Sequence, residues 1–322
     1  MFQKKVILIT GGSGSFGTYA TKKLLSFNPK EIRIYSRTIS KHRILAEKIK
    51  NDPKVKFIVG NVQDEKRLIK STERVDIIIH AAANKYIELC QEDPIGAIAT
   101  NVIGTQNVIN AAVKNKVKFV INLSADKAVY PTSVYGATKQ LSENLIITAS
   151  KQSTKTVFVN VRYSNVLGSS GSVTEVFKQK LSSGKTVEIF DKNAQRLVLT
   201  QDEVWELVEK AFDFNLTGTT FVYLAPKLYI IDLASILKSM VGKGKVTVTN
   251  HLRPGERTDA YLIAREEAKR TFMLQGQIAV ILPQSYTKTV SRFKKFKGNK
   301  YDSNDAKRLN KWQISKLLVK IL

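Results

Sequence analysis

Short apolar runs alternate with helix-length stretches along the first half of the chain. Lys5–Thr10 (KVILIT), Glu31–Tyr35 (EIRIY), Val55–Val59 (VKFIV), Val75–His80 (VDIIIH) and Val117–Leu123 (VKFVINL) are each rich in β-branched residues and bounded by polar segments. That pattern predicts strands. A sixth is predicted at Val157–Val161. Repeated β-α-β units of this kind build a doubly wound parallel sheet, which binds ligands beyond the carboxyl ends of its strands where strand order reverses. After the sixth strand the rhythm weakens. Helices are predicted near Val173–Lys180, Gln201–Phe212 and Ile231–Met240, separated by short strands at Thr186–Ile189 and Thr220–Tyr223. The fold class is therefore α/β, with a sheet domain over residues 1–165 and a smaller C-terminal substrate-binding lobe with its tail over 166–322. No internal repeat, proline-rich linker or low-complexity segment separates the two, so they are expected to interleave and share an interface.

Composition narrows the class. With 322 residues, 43% hydrophobic and 25% charged, the chain is long enough for one large α/β unit with an appended lobe and has the make-up of an ordinary folded protein. No apolar run reaches the ~20 residues of a membrane span. The first strand begins too near Met1 for a signal peptide, so a cytoplasmic location is expected. Cys90 is the only cysteine, which excludes an internal disulfide and a zinc site built from several thiolates, and no metal is expected. The net charge of +25 invites a nucleic-acid partner. Against it, the lysines are spread along the chain and no arginine-rich arm or zinc-finger spacing is present. The densest stretch, Lys288–Lys300 (KTVSRFKKFKGNK), interleaves Phe293 and Phe296 with basic residues that suit phosphates. A solvated basic face is the reading preferred.

Thr10-Gly11-Gly12-Ser13-Gly14-Ser15-Phe16-Gly17 follows the first strand directly and opens a helical stretch. Glycines 11, 14 and 17 supply the tight turn, the close backbone approach and the helix-strand packing that a dinucleotide pyrophosphate requires at a helix N-terminus. In that context the sheet reads as Rossmann-like, the alternative being an ordinary strand-to-helix loop. The second strand ends in Tyr35-Ser36-Arg37, where a site for NAD would carry a carboxylate for the ribose 2′-hydroxyl. Arg37 has the planar fork to pair with a 2′-phosphate, Ser36 a hydroxyl, and Lys41 or Arg43 can assist as point charges. The cofactor expected is NADP, unless Arg37 is simply one more exposed arginine of a basic protein.

The fifth strand runs into Leu123-Ser124-Ala125-Asp126-Lys127-Ala128-Val129-Tyr130-Pro131, and then Tyr135-Gly136-Ala137-Thr138-Lys139. On a helix, Tyr135 and Lys139 share a face, so the ammonium can stand beside the phenol and favour its phenolate. A phenol titrating near ~10 would then serve as a base around neutrality.

With these residues the chain resembles the extended short-chain dehydrogenase/reductases, and among them the polysaccharide-biosynthesis group of inverting UDP-N-acetylglucosamine 4,6-dehydratases of the capsule and flagellin-glycan type. The resemblance spans nearly the whole chain. Its further landmarks are His80-Ala81-Ala82-Ala83-Asn84-Lys85, Thr100-Asn101-Val102-Ile103-Gly104 with Asn107, and Arg162-Tyr163-Ser164-Asn165-Val166. They continue in Gly171-Ser172-Val173, Arg253-Pro254-Gly255-Glu256 and the tail from Tyr301 to Leu309. The resemblance implies that Tyr135 takes the proton of the sugar's 4-hydroxyl while C4 gives hydride to NADP. The ketone then acidifies C5. Lys127 removes the C5 proton, Asp126 protonates the departing 6-hydroxyl, and hydride returns to C6, giving a 4-keto-6-deoxy sugar of L configuration. It also implies cofactor contacts from Asn61, Val62, Ala81, Ala82, Ala83, Lys85 and Asn101, besides Gly11, Ser13, Gly14, Ser15, Phe16, Gly17, Ser36, Arg37, Lys41, Tyr135 and Lys139. For the UDP-sugar it implies Lys85, Ser124, Asn165, Val173, Arg196, Arg253 and Glu256, and it implies a homo-oligomer, a hexamer being one form.

Departures from the family pattern are visible. Ala125 stands where a threonine usually holds a sugar hydroxyl, Asn61 where an aspartate meets the adenine amino group, Ser170 where an arginine is frequent, and Ala260 where a glutamate is. Two rivals stay open. A UDP-sugar 4-epimerase shares the fold, cofactor pocket and Tyr-Lys pair but has no use for Asp126-Lys127 as acid and base. A non-catalytic basic RNA-binding or scaffold protein on the same fold would have no reason to keep Tyr135, Lys139, Asp126 and Lys127 together.

Overall fold

In the computed structural model, which describes residues 1–249, 259–284 and 293–321, all six anticipated apolar runs are strands. They are β1 (Val6–Thr10), β2 (Glu31–Ser36), β3 (Val55–Val59), β4 (Ile77–His80), β5 (Phe119–Ala125) and β6 (Val157–Tyr163). They pair in parallel in the order 3-2-1-4-5-6. Every residue of β1, β4 and β5 is buried, because helices cover both faces of the sheet and leave no polar side to alternate. Successive side chains enter opposite layers: Ile7, Ile9, Ile34 and Ile79 join one core, and Leu8, Tyr35, Ile78 and Phe158 the other.

Thr220–Tyr223, anticipated as a short strand of the second half, pairs in parallel with β6 and extends this sheet. Ile278–Ile281, Thr271–Gln275 and Lys294–Lys295 follow antiparallel, making ten strands among the described residues. The hairpin Thr271–Ile281 was not anticipated; its signal is two apolar runs joined across Gly276, whose φ of +55° suits glycine.

A separate core lies in the second half. The helices Val173–Ser182, Ile230–Val241 and Lys311–Ile321 bury Phe177, Leu181, Leu233, Leu237, Ile314 and Leu318 together with Val187 and Ile189 of the strand Thr186–Ile189. Among the described residues, no helix is long and apolar enough to cross a membrane. The carboxyl ends of β1 and β4, paired at Thr10 and His80, flank the point where strand order reverses, and Ala125 of β5 lies beside Tyr163 of β6. The candidate site assembles along this edge.

Candidate active site

The glycine turn is shaped by contacts that exclude side chains. Gly11 has φ +64°, and a Cβ there would sit 2.8 Å from the Ala81 carbonyl oxygen and the Ala82 backbone. A Cβ on Gly17 would meet the Gly12 carbonyl at 2.3 Å, so the helix Ser15–Leu25 starts against the turn itself. Gly14 caps that helix without a side-chain hydrogen bond, and no acidic residue occupies the first turn. Such a cradle, open to an anion and closed to a Cβ, fits a dinucleotide pyrophosphate. Ala81 and Ala82 form its far wall, and Ala82 N–H donates to Thr10 Oγ1 at 3.3 Å.

At the end of β2, Ser13 Oγ and Ser36 Oγ lie 2.7 Å apart, and Ser36 Oγ is 2.5 Å from His42 Nε2. His42 is buried, which lowers its pKa, and the sequence reading missed it. Arg37 and Lys41 stand exposed beside this chain. Asn61 Oδ1 accepts from Gln63 N–H at 3.2 Å, while Val62 is buried against Gly104. Asn101 lies in a π-helical turn, Ala99–Ile103, an irregularity that often marks functional sites. Its amide bonds both the N–H and the carbonyl of Asn84, at 2.7 and 2.9 Å, and Thr138 Oγ1 at 3.0 Å. Asn101 thus fixes the loop after β4 onto the helix Val134–Gln152.

That helix is capped by Ser133 Oγ, which accepts from Gly136 N–H at 3.2 Å. Asp126 and Lys127 sit on a short 3-10 turn at the end of β5, with Lys127 Nζ 2.9 Å from Asp126 Oδ1 and Asp126 only 2% exposed. Ser164 Oγ reaches Asp126 Oδ2 at 3.2 Å. Burial pushes the Tyr135 phenol up, and Tyr163, Asp126 and Cys90 push it the same way. Lys139 Nζ donates to the Leu123 carbonyl at 2.6 Å, and burial brings its pKa down to about 8 against the opposing pull of Glu143. The expected lowering of the phenol by its lysine is therefore not what the protein alone provides: desolvation dominates, and the ammonium is engaged by a carbonyl. Among the described residues, Ser124 Oγ is buried without a hydrogen-bond partner, an unused donor and acceptor at the same edge. Tyr163, whose pKa burial raises to about 12, faces this edge as a second phenol that the sequence reading treated only as a family landmark.

A cleft of about 340 Å³ opens next to it, lined by Lys85, Asn165, Val173 and Arg196, four of the residues that the resemblance assigns to the UDP-sugar, and also by Phe190 and Ile230. Phe190 follows directly on the strand Thr186–Ile189, and an aromatic at a strand's carboxyl end was the available signal for it. Lys85 Nζ donates to the Ser170 carbonyl at 2.6 Å, and burial lowers its pKa. Ser170 N–H donates to Ser15 Oγ at 2.9 Å, so the loop before Val173 is tied to the glycine turn. Arg253 and Glu256 lie outside the described residues, as does the first part of the basic stretch at 288–292.

Comparison with known proteins places this geometry. Residues 7–281 match the family described as polysaccharide biosynthesis protein. A Campylobacter jejuni UDP-N-acetylglucosamine 4,6-dehydratase (inverting) is 37% identical over 87% of this chain and 84% of its own length. A Rickettsia akari UDP-glucose 4-epimerase is 34% identical over 99% of this chain and 96% of its own. A Methanocaldococcus jannaschii protein named an uncharacterized membrane protein is 37% identical over 99% and 97%. The X-ray structure of Pen from Bacillus thuringiensis superposes with a TM-score of 0.92 at 30% identity, covering 100% of this chain and 98% of that one.

Proposed function

The chain belongs to the polysaccharide biosynthesis protein family, and from that premise we propose that it removes water from UDP-N-acetylglucosamine by 4,6-dehydration with inversion at C5, using NADP. The observation that carries this reading is the Asp126-Lys127 pair, held at 2.9 Å at the carboxyl end of β5 beside Tyr135. An elimination needs an acid and a base on adjacent carbons, and a simple epimerisation at C4 needs neither. The nicotinamide, when bound, supplies the acceptor for hydride from C4 and its return to C6. Ser36, Arg37 and Lys41 would hold its 2′-phosphate. Tyr135 takes the 4-hydroxyl proton, Lys127 takes the proton from C5, and Asp126 gives one to the leaving 6-oxygen. As hydride returns to C6, C5 takes a solvent-exchangeable proton on the face opposite the one it lost and Lys127 returns its own to solvent; with the proton gained by Tyr135 matching the one lost by Asp126, only water leaves over the cycle. Lys85, Asn165 and Arg196 of the cleft bind the diphosphate, Arg196 through its fixed fork of donors.

A second reading, a UDP-sugar 4-epimerase, is favoured by the near-complete alignment with the Rickettsia protein. One tube separates them: purified protein, UDP-N-acetylglucosamine and catalytic NADP in heavy water, followed by NMR and mass analysis. Loss of one water with deuterium at C5 and no lasting NADPH is the expected result, and the ring couplings report the inversion. The galacto isomer with no water lost overturns the dehydratase in favour of the epimerase.

The Lys139 pKa of about 8 sets a pH dependence. The side chain is cationic below that value and neutral above it. If its charge supports the Tyr135 phenolate, the contribution of Lys139 to kcat/KM is full on the acid side and is lost as pH rises through about 8. A profile flat through that region, with the protein still folded by circular dichroism, would remove the Lys139 charge from the rate.

A further inference from the structure

Ser164 follows β6, is 6% exposed, and its hydroxyl stands between two acceptors. Asp126 Oδ2 is 3.2 Å away and the Leu197 carbonyl oxygen 2.8 Å. A serine hydroxyl carries one proton and two lone pairs, so it cannot donate to both at once. Asn165 completes the arrangement, because its Nδ2 reaches the same Leu197 carbonyl at 3.1 Å and Ser164 Oγ at 3.2 Å. With Asp126 ionised, the Ser164 proton turns to Oδ2 and Leu197 keeps the donor from Asn165. With Asp126 protonated, the carboxylic acid donates to Ser164 Oγ, whose own proton turns to Leu197. Both arrangements leave every acceptor bonded, which matters in a site this buried.

We infer that Ser164 is a positioning residue for Asp126, a hydroxyl rotor that holds the carboxyl in place in both protonation states. The inference rests on the reading of Asp126 as the acid of the elimination. In that step the C5–H bond breaks with its proton going to neutral Lys127, and its electron pair forms the C5–C6 double bond. The C6–O bond breaks, its oxygen takes the Asp126 proton, and water departs. Asp126 is left a carboxylate beside the Lys127 ammonium, the pairing the structure holds at 2.9 Å. The rotor turns with this change and keeps the acid aimed for the next cycle. Among the described residues, Tyr135 on the helix Val134–Gln152 also acts on Asp126, and Tyr163 on β6 acts on Tyr135 in turn.

The test compares Ser164→Ala and Ser164→Gly, which remove the hydroxyl, with Ser164→Thr, which keeps it. The readouts are the pH profile of water loss and the titration of the Asp126 carboxyl, taken from infrared spectra of carbon-13 aspartate-labelled holoenzyme with Asp126→Asn as the blank. Removing a donor from a buried carboxylate is expected to move its titration upward by about one pH unit and to slow water loss about tenfold, with KM unchanged. Ser164→Thr restores both. A titration in either hydroxyl-free variant that superimposes on wild type overturns the rotor, as does a threonine variant that recovers nothing. Wild-type protein that removes no water from the UDP-sugar defeats the functional reading instead, and the infrared titration still decides the role of Ser164.

Discussion

Replacing Lys127 with alanine is expected to stop water loss while C4 oxidation proceeds. A positioned base contributes about 10²–10⁴-fold to rate, and removing it should cost elimination that much. In the proposed mechanism hydride transfer from C4 depends instead on Tyr135 and on the seat of the cofactor, whereas the Lys127 ammonium is held on Asp126. The variant should therefore accumulate reduced cofactor and 4-keto sugar with little deuterium at C5. Transient absorbance reads the first, and mass analysis in heavy water the second. Equal loss of C5 exchange and C4 oxidation would count against Lys127 as the base.

The largest effect on stability is expected at Arg162. Its guanidinium is buried and held by two carboxylates, Glu143 at 2.6 Å and Glu267 at 2.8 Å, with the Leu262 carbonyl at 2.9 Å. Both carboxylates keep Arg162 charged, its pKa well above the ordinary value despite burial. Arg162→Met removes the cation hydrogen-bonded to both and leaves only Arg270 acting on them from farther off, and breaking a buried pair from one side costs about 3–5 kcal/mol. Denaturant unfolding should show that loss as a lower midpoint. Adding Glu143→Gln and Glu267→Gln should recover most of it, since the penalty is uncompensated charge rather than lost volume. Glu143 lies one helical turn beyond Lys139, so the same variant should disturb the candidate site, whereas a loss under 1 kcal/mol would show that the cluster is hydrated.

What the sequence disclosed and what it hid divide along a physical line. The inner strands β1, β4 and β5 were legible because burial on both faces demands unbroken apolar runs such as Ile77–Ile79, the partly exposed β2 and β3 because their runs are still β-branched-rich and bounded by polar segments, and the glycine turn because backbone approaches this close admit no Cβ. Asp126, Lys127 and Tyr135 do gather at one edge, as their position after β5 implied. The Ser13-Ser36-His42 chain was hidden because it joins three separate elements, and polar contacts across the sheet edge leave no periodicity to read. Lys139 was half legible: its spacing put it on the same face as Tyr135, but only the fold brings the Leu123 carbonyl to its ammonium. Ser164 read as a family landmark, and nothing local distinguishes it from a loop serine until Leu197 and Asp126 come to either side.

The strand Thr220–Tyr223 gives the sheet a consequence for how the chain is made. β6 takes its outer partner from 57 or more positions downstream, with Asn160 N–H bonded to the Thr219 carbonyl and Gly218 N–H to that of Phe158. A ribosome that has released only the first half presents β6 as an open apolar edge, the kind of template on which chains pair wrongly. The dinucleotide cradle at Gly11 is complete once Ala81 and Ala82 have been made, but the edge holding Tyr163 and Ser164 waits for Thr220–Tyr223. Synthesis thus orders assembly, with the edge that carries the proposed acid and base among the last parts to be secured.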